Sequence, residues 1–318
     1  MDYQAFLALI KESVAACLGN TVVVQLNHVY KNNGIELDGI VILENGNRVS
    51  PNIYLNSYYE QHLKGRKTEH IVDEIISLSR NGDEAYSDIF RAFEELALRK
   101  DDIIFRLVNY EKNKALLETV PHIRFLDLAV TFHVLMREHC DSIATVRVTN
   151  ELLEKWGTTV RKLMSYAAVN TPALFPARIT PMAEVMREMI EKDLADMIDS
   201  MADEQNISRE DLLNHLMDEV GQHHSAPMYV LTNQKEINGA SAMLYQQVLE
   251  EFAKEAGSDL YILPSSIHEV ILVPVTIRMK KEELIDMVLD VNITQVPEEE
   301  ILSDRVYCYH RESRSFDY

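Results

Sequence analysis

The chain has 318 residues, a hydrophobic fraction of 47% and a formal net charge of −20, from 31 basic and 51 acidic residues. Length suggests about two domains with sizeable cores, and the scarcity of glycine and proline argues against disordered character. The charge disfavours nucleic acid or an anionic membrane as partner, and no apolar run approaches the roughly 18–20 residues that span a bilayer.

Residues 3–18 place Phe6, Leu7, Ile10, Val14 and Leu18 at helical spacing, and Gly19-Asn20 is a helix stop. Residues 21–30 and 34–43 are β-rich runs, and Asn33-Gly34 supplies the positive φ angles of a tight hairpin turn. After Pro51, residues 53–63 read either as a short strand entering a helix or as a helix throughout. Helices are expected over 68–80, with Ile71, Ile75, Ile76 and Leu78 inside, and over 83–99.

A β-α-β-β-α pattern covers 103–165, with strands at 103–109, 125–136 and 142–148. The proline-rich stretch NTPALFPARITP (170–181) reads as a linker. Residues 181–220 read as helical and carry twelve acidic residues against three basic ones. Within them Met182, Met186, Met189, Met197 and Met201 join Ile190, Leu194 and Ile198 in a methionine-rich stripe. A second pattern of strand, helix, strand and strand runs from Met228 to Thr276. Its helix is expected from Ala240 to Ala256, closed by Gly257, and Pro264 and Pro274 belong at strand ends, edges or bulges. A helix over 280–291 and a strand over 305–309 follow.

Together these patterns give an α+β chain. An N-terminal helix-hairpin-helices module (1–99, hairpin 21–43) precedes a C-terminal α+β domain (100–318). That domain is expected to hold a larger mixed sheet of two βαββ-like units, with an acidic helical insertion at 181–222.

Several phrases stand out as a set: KNNGIELDGIVI (31–42), SPNIYLNSYYEQHLKG (50–65), RLVNYEKN (106–113) with PHIRFLDLAV (121–130), and VLTNQKEINGASAMLY (230–245) with YILPSS (261–266). They resemble a bacterial family known as domain of unknown function 5688, over most of the chain. The part from 228 onward is also similar to another uncharacterised bacterial family. The resemblance implies no activity and no catalytic residue.

The residues themselves offer few constellations. His215, Glu219 and His223 are four apart and would share a stripe on a continuous helix, a set suited to zinc or manganese. Against this, Gly221 interrupts the helix and HExxH is absent, so an exposed helix end is the simpler reading. Asp127 and His133 share a strand face but lie roughly 20 Å apart at about 3.3 Å per residue. Glu36, Asp38 and Glu44 line one strand face without the lysine of a metal-dependent nuclease.

Asn109 and Asn233 each end a strand before a helix, and Asn238 opens the NGAS turn. Asparagine there caps or bends the backbone, and the same geometry can hold an anion. These three are the candidate ligand-binding residues. The glycines of a dinucleotide fingerprint and GxxxxGK[ST] are absent. No cofactor is expected. The cysteines Cys17, Cys140 and Cys308 lack CxxC spacing and are expected as buried or half-buried reduced thiols of a cytoplasmic protein.

The leading expectation is a cytosolic, non-catalytic binding or regulatory protein that contacts a protein partner through the Met-rich acidic helix 182–201. The alternative is a metal-dependent hydrolase using His215, Glu219 and His223. A third reading is an acidic nucleic-acid mimic.

Overall fold

The computed structural model describes residues 1–19, 22–44, 52–80, 96–139, 142–193, 208–221, 227–275 and 280–318. Helices and three antiparallel sheets make the fold α+β, as the sequence suggests. The chain divides into two units. One comprises Met1–Asp102, Lys112–Pro121 and Val134–Thr159; the other comprises Ile103–Glu111, His122–His133 and Val160–Tyr318.

Helix α1 (Tyr3–Leu18) starts where the Asp2 carboxylate accepts from Ala5 N at 2.8 Å, and it ends at Gly19, φ 73°. Strands β1 (Val22–Tyr30) and β2 (Glu36–Glu44) pair from Val22↔Glu44 to Tyr30↔Glu36. Asn33 and Gly34 take the expected positive φ, 59° and 73°, inside a longer connection that Lys31 N closes on Ile35 O at 2.8 Å. Strand β3 (Ile53–Tyr54) joins β2 and leads into α2 (Asn56–Leu63), so the strand-into-helix reading holds. Helix α3 (Thr68–Arg80) follows.

The core of this part gathers Phe6, Leu7, Ile10 and Val14 of α1 with Ile40, Ile42, Leu55, Tyr58, Ile71, Val72 and Ile75. Leu78, expected inside, is 44% exposed. Val72, three residues before Ile75 and so on the same helix face, packs there instead. The expected helix over 83–99 lies outside the described residues up to 95, and its last turn, Leu96–Arg99, is helical.

The second sheet contains β4 (Ile103–Asn109), β5 (His122–Phe125), β6 (Leu128–His139) and β7 (Ser142–Arg147). Its order is β4-β6-β5, with β7 pairing β6. A short helix α4 (Lys114–Leu117) lies between β4 and β5. The single strand expected over 125–136 is in fact two, joined by a two-residue turn, Leu126-Asp127, because Phe125 pairs with Leu128. Leu126 takes φ 53°, a left-handed conformation that costs about 1–2 kcal/mol for a residue with a Cβ. A leucine there carries no turn signal in sequence. Asp127 therefore occupies a turn and shares no strand with His133, whose buried Nε2 lies 3.2 Å from Thr131 Oγ1.

Helices α5 (Asn150–Lys155) and α6 (Val160–Leu174) follow. Helix α6 is tied to β4 where Thr171 Oγ1 accepts from Phe105 N at 3.0 Å and Asn170 donates to Ile103 O at 2.9 Å. The expected linker is instead the end of α6 followed by strand β8 (Ala177–Pro181), which pairs with β9 (Tyr229–Asn233). Strand β8 is an edge strand with Pro181 at its end, where a missing N–H costs no ladder bond. Of the acidic segment, α7 (Met182–Asp193) and α8 (Arg209–Gly221) are described, and residues 194–207 lie outside.

The third sheet has the order β13-β12-β10-β11-β9-β8. After β9 come helix α9 (Val248–Ala256), β10 (Leu260–Leu263), β11 (Val270–Pro274), α10 (Lys281–Thr294), β12 (Tyr307–His310) and β13 (Ser315–Asp317). Pro264 and Pro274 fall at strand ends as expected, and Gly257, φ 71°, closes α9. The helix expected from Ala240 begins only at Val248. Gly239–Leu244 forms a 3-10 turn instead, bounded by left-handed Asn238 (φ 52°) and Gln247 (φ 73°). Gly239, Ala240, Ser241, Ala242 and Met243 are all buried, which one stripe of an amphipathic α-helix could not achieve. Strand β13 is only three residues long and is not among the strands expected from sequence.

A half-buried carboxylate fixes the strained turn of the second sheet. Asp127 accepts from Ser303 Oγ at 2.7 Å and from Tyr307 OH at 2.6 Å, and both donors are fully buried. Burial, with the carboxylate alongside, raises the Tyr307 phenol far above its ordinary value, so it stays a donor. Asp127→Ala would strand two buried hydroxyls beside a strained turn. Urea denaturation should register a loss of about 2–4 kcal/mol for Asp127→Ala and less than half of that for Asp127→Asn. A loss under about 0.5 kcal/mol in the alanine variant would refute the role assigned to this carboxylate.

Candidate functional site

The candidate site grows from the turn after β9. Asn233, 2% exposed, folds its side chain back on the loop: Oδ1 accepts from Lys235 N at 2.9 Å and Nδ2 donates to Ile237 O at 2.9 Å. This Asx turn carries the chain through left-handed Glu236 (φ 56°) and Asn238 into the 3-10 turn. Gly239 sits where no side chain fits. A Cβ there would lie 2.1 Å from Thr232 Oγ1 and 2.5 Å from His268 O. Thr232 Oγ1 also donates to His268 O at 2.8 Å, and Ala240 N donates to Ile267 O at 3.2 Å.

That packing sets the β9 turn against the β10–β11 connection, residues 264–269. His268 N donates to Ser266 Oγ at 3.0 Å. On the ring, Nδ1 lies 3.4 Å from Asn238 N and 3.2 Å from Glu236 O, while Nε2 lies 3.6 Å from Glu300 Oε1. The Asn238 N–H calls for an accepting Nδ1, and the Glu236 carbonyl calls for a donating one. The surroundings thus offer a partner to Nδ1 in either tautomer of the ring.

One carboxylate, Glu300, lies against this imidazole, and those of Glu269 and Glu236 belong to the same electrostatic cluster. Half-buried Glu269 is held above its ordinary carboxyl value, first by burial and further by the Glu300 and Glu236 carboxylates. His268 and a hydrogen bond from Ser266 act in the opposite sense. Glu236 also pairs with Arg178 at 2.6 Å. Behind the turn, the hydroxyls of Ser241 and Tyr245 are buried and have no hydrogen-bond partner among the described residues. The whole arrangement concentrates negative charge around one ring that is 27% exposed. A cation placed there would offset both the burial and the carboxylate repulsion that raise Glu269.

Of the residues expected to bind a ligand, Asn233 and Asn238 come together around His268. Asn109 joins the same network one step away, donating to Leu302 O at 2.9 Å, while Leu302 N donates to Ser265 O at 2.9 Å. The Asn109 and Asn233 side chains hold backbone, and Asn238 contributes through its left-handed backbone. His268, Glu269, Ser266 and Glu300 belong to no motif in the sequence. The available signal was SSIHE (265–269), a run of polar groups between two proline-marked strands.

The other candidates lie apart. His215 and Glu219 fall on α8, but their side chains, like the whole of His223, are outside what is described. Glu36 and Asp38 flank His28 on the hairpin, at 3.4 and 2.8 Å, as an exposed ion pair. Among the cysteines, Cys308 is buried as expected, Cys17 is exposed instead, and Cys140 is outside the described residues. Cys17 lies on α1 beyond the buried Phe6, Leu7, Ile10 and Val14 face.

A model of a family described as a family of unknown function, DUF5688, matches residues 3–311. The chain belongs to that family. Similarity of the C-terminal part to a second family is not shown. No curated protein and no solved structure matches the chain. Among the described residues, no helix is long and apolar enough to cross a membrane.

The close approach at Gly239 gives a direct check on this geometry. Gly239→Ala should cost about 1–3 kcal/mol by overpacking, since the clash is partly with backbone. Gly257→Ala, at a positive φ but in open space, should cost only about 1 kcal/mol. Equal losses in chemical denaturation would contradict the tight packing at the turn.

Proposed function

We propose that this protein is a non-catalytic binding or regulatory protein. It works in the cytoplasm and recognises a basic side chain of a protein partner at the His268 cluster. The observation that carries this reading is the half-buried Glu269 carboxyl, pushed up by burial and by two neighbouring carboxylates around one partly open ring. A guanidinium or ammonium group bound there would let Glu269 ionise and would form charge-assisted hydrogen bonds. The chain's net charge of −20 favours basic partners at long range. Helix α7 supports a protein partner in particular: Met189 is 57% exposed beside acidic Glu184 and Glu188, and methionine adapts to irregular surfaces. An exposed unpaired thiol at Cys17 fits a reducing compartment.

Calorimetric titration with N-acetyl-arginine amide and with a basic hexapeptide tests the reading. Glu269→Gln keeps the shape and removes the charge, and it should weaken binding at least tenfold, about 1.4 kcal/mol. The exposed control Glu255→Gln should change affinity by less than about twofold, as expected for a screened surface charge. Equal weakening in both variants would reduce the effect to general charge attraction, and absence of binding by the native protein would sink the proposal.

A further inference from the structure

Away from that cluster, the last two strands bring together a different set of groups. Cys308 and His310 are two apart on β12 and so share a face. Strand β12 lies between β10 and β13. Leu260 pairs with Tyr309, which brings Asp259, just before β10, beside His310; on the other side Cys308 pairs with Asp317. His310 Nδ1 lies 3.0 Å from Asp259 Oδ2 and 4.0 Å from Cys308 Sγ, and His310 Nε2 lies 2.9 Å from Asp317 Oδ2. One ligand atom each from Asp259, Cys308 and His310 lies within 4.8 Å of the others.

We propose that Asp259, Cys308 and His310 form a binding site for a divalent transition-metal ion, with zinc as the best match. Tetrahedral zinc with bonds of about 2.0–2.3 Å sets its ligand atoms roughly 3.3–3.7 Å apart. The observed separations need adjustments of about 1 Å or less to meet that. Thiolate, imidazole and carboxylate together select a borderline-soft ion over magnesium or calcium.

Asp317 supplies what a histidine ligand requires behind it. It accepts the Nε2 proton, fixes the tautomer and leaves the Nδ1 lone pair facing Asp259 and Cys308. Without a cation, two acceptors would face each other at Nδ1, so the metal-free site holds a proton there. Binding moves that proton and the Cys308 thiol proton to solvent, and the ion takes their place. Arg311 N donates to Asp259 Oδ1 at 2.9 Å, which leaves Oδ2 as the ligand oxygen. Asp259 and His310 also line a groove of about 410 Å³, with Ser258, Arg311, Glu312 and Ser313, while Cys308 is buried behind them. Water or a ligand could reach the ion from that groove.

The protein, prepared without an affinity tag and stripped with a chelator, is titrated with Zn²⁺ by calorimetry and with Co²⁺ by visible and near-ultraviolet absorption. One equivalent should bind, and the Co²⁺ form should show tetrahedral d–d bands with a thiolate charge-transfer band. Cys308→Ser should abolish the charge-transfer band and weaken Zn²⁺ by at least 100-fold. Asp317→Asn should weaken Zn²⁺ by about 10- to 100-fold while keeping the band. His215→Gln with His223→Gln should leave both readings unchanged. If Cys308→Ser does not fold, the band in the native protein still decides cysteine ligation. No stoichiometric binding, binding without a thiolate band, or loss in the His215/His223 variant would overturn the proposal and leave the cluster as an imidazolium–carboxylate clamp between strands.

Discussion

Backbone hydrogen bonds between two short segments, Pro264–Ile267 and Glu300–Ser303, hold the candidate site together. Leu302 N donates to Ser265 O, Ser303 N to Pro264 O and Ile267 N to Glu300 O, each at 2.9 Å. Neither segment is a regular strand, and residues 300–303 reach this position only after helix α10. Without that return, Glu300 would not face His268, and β12 would not enter the sheet in the register that aligns Cys308 and His310. Side chains reinforce the return. Asn109 holds Leu302 O, Asn292 holds Ser303 O, and Asp127 holds the Ser303 hydroxyl. Buried amides and hydroxyls engaged this way favour the fold because leaving any of them unpaired would cost about 1–3 kcal/mol.

The two clusters of the second unit differ in chemistry. Around His268 the groups are oxygen and nitrogen atoms, with a half-buried carboxyl raised first by burial and then by its carboxylate neighbours, and that environment suits an organic cation. At the end of the sheet a thiol joins an imidazole already clamped by two carboxylates, and that combination suits a metal. Both depend on the same return of the chain, since Glu300 opens it and β12 follows it. The polar side chains in between, Asn109, Asn233, Asn292 and Ser303, each bond to backbone groups.

The sequence was most readable where structure is local. Helix α1, with Asp2 and Gly19 at its ends, the Asn33-Gly34 turn, the Gly257 helix stop and the prolines at strand ends each depend on a few adjacent residues. Legibility failed where distant packing decided. Leu126 takes a left-handed angle that leucine avoids, held by contacts more than 170 residues away in sequence. Residues 240–247 resemble the start of an amphipathic helix, yet burial of Gly239, Ala240, Ser241, Ala242 and Met243 alike goes with a 3-10 turn over Gly239–Leu244. Strand β8 hides in a proline-rich stretch because its one proline, Pro181, stands at the end of an edge strand, while Pro172 lies in the helix before it. For the sites, Asn233 and Asn238 were found through their turn chemistry. His268 and Glu269 gained meaning only from Glu300 and Glu236, and Asp259, Cys308 and His310 only from strand register.

Native-state hydrogen exchange on the amides of Ile267, Leu302 and Ser303 tests the dependence on the returning segment most directly. If the pairing is part of the fold's cooperative core, these three amides should exchange with the same opening free energy as the β10–β11 ladder and converge with it as denaturant is added. Exchange of the three at a markedly lower free energy, while β10 and β11 stay protected, would mean that the segment is a loosely held strap and would contradict the account.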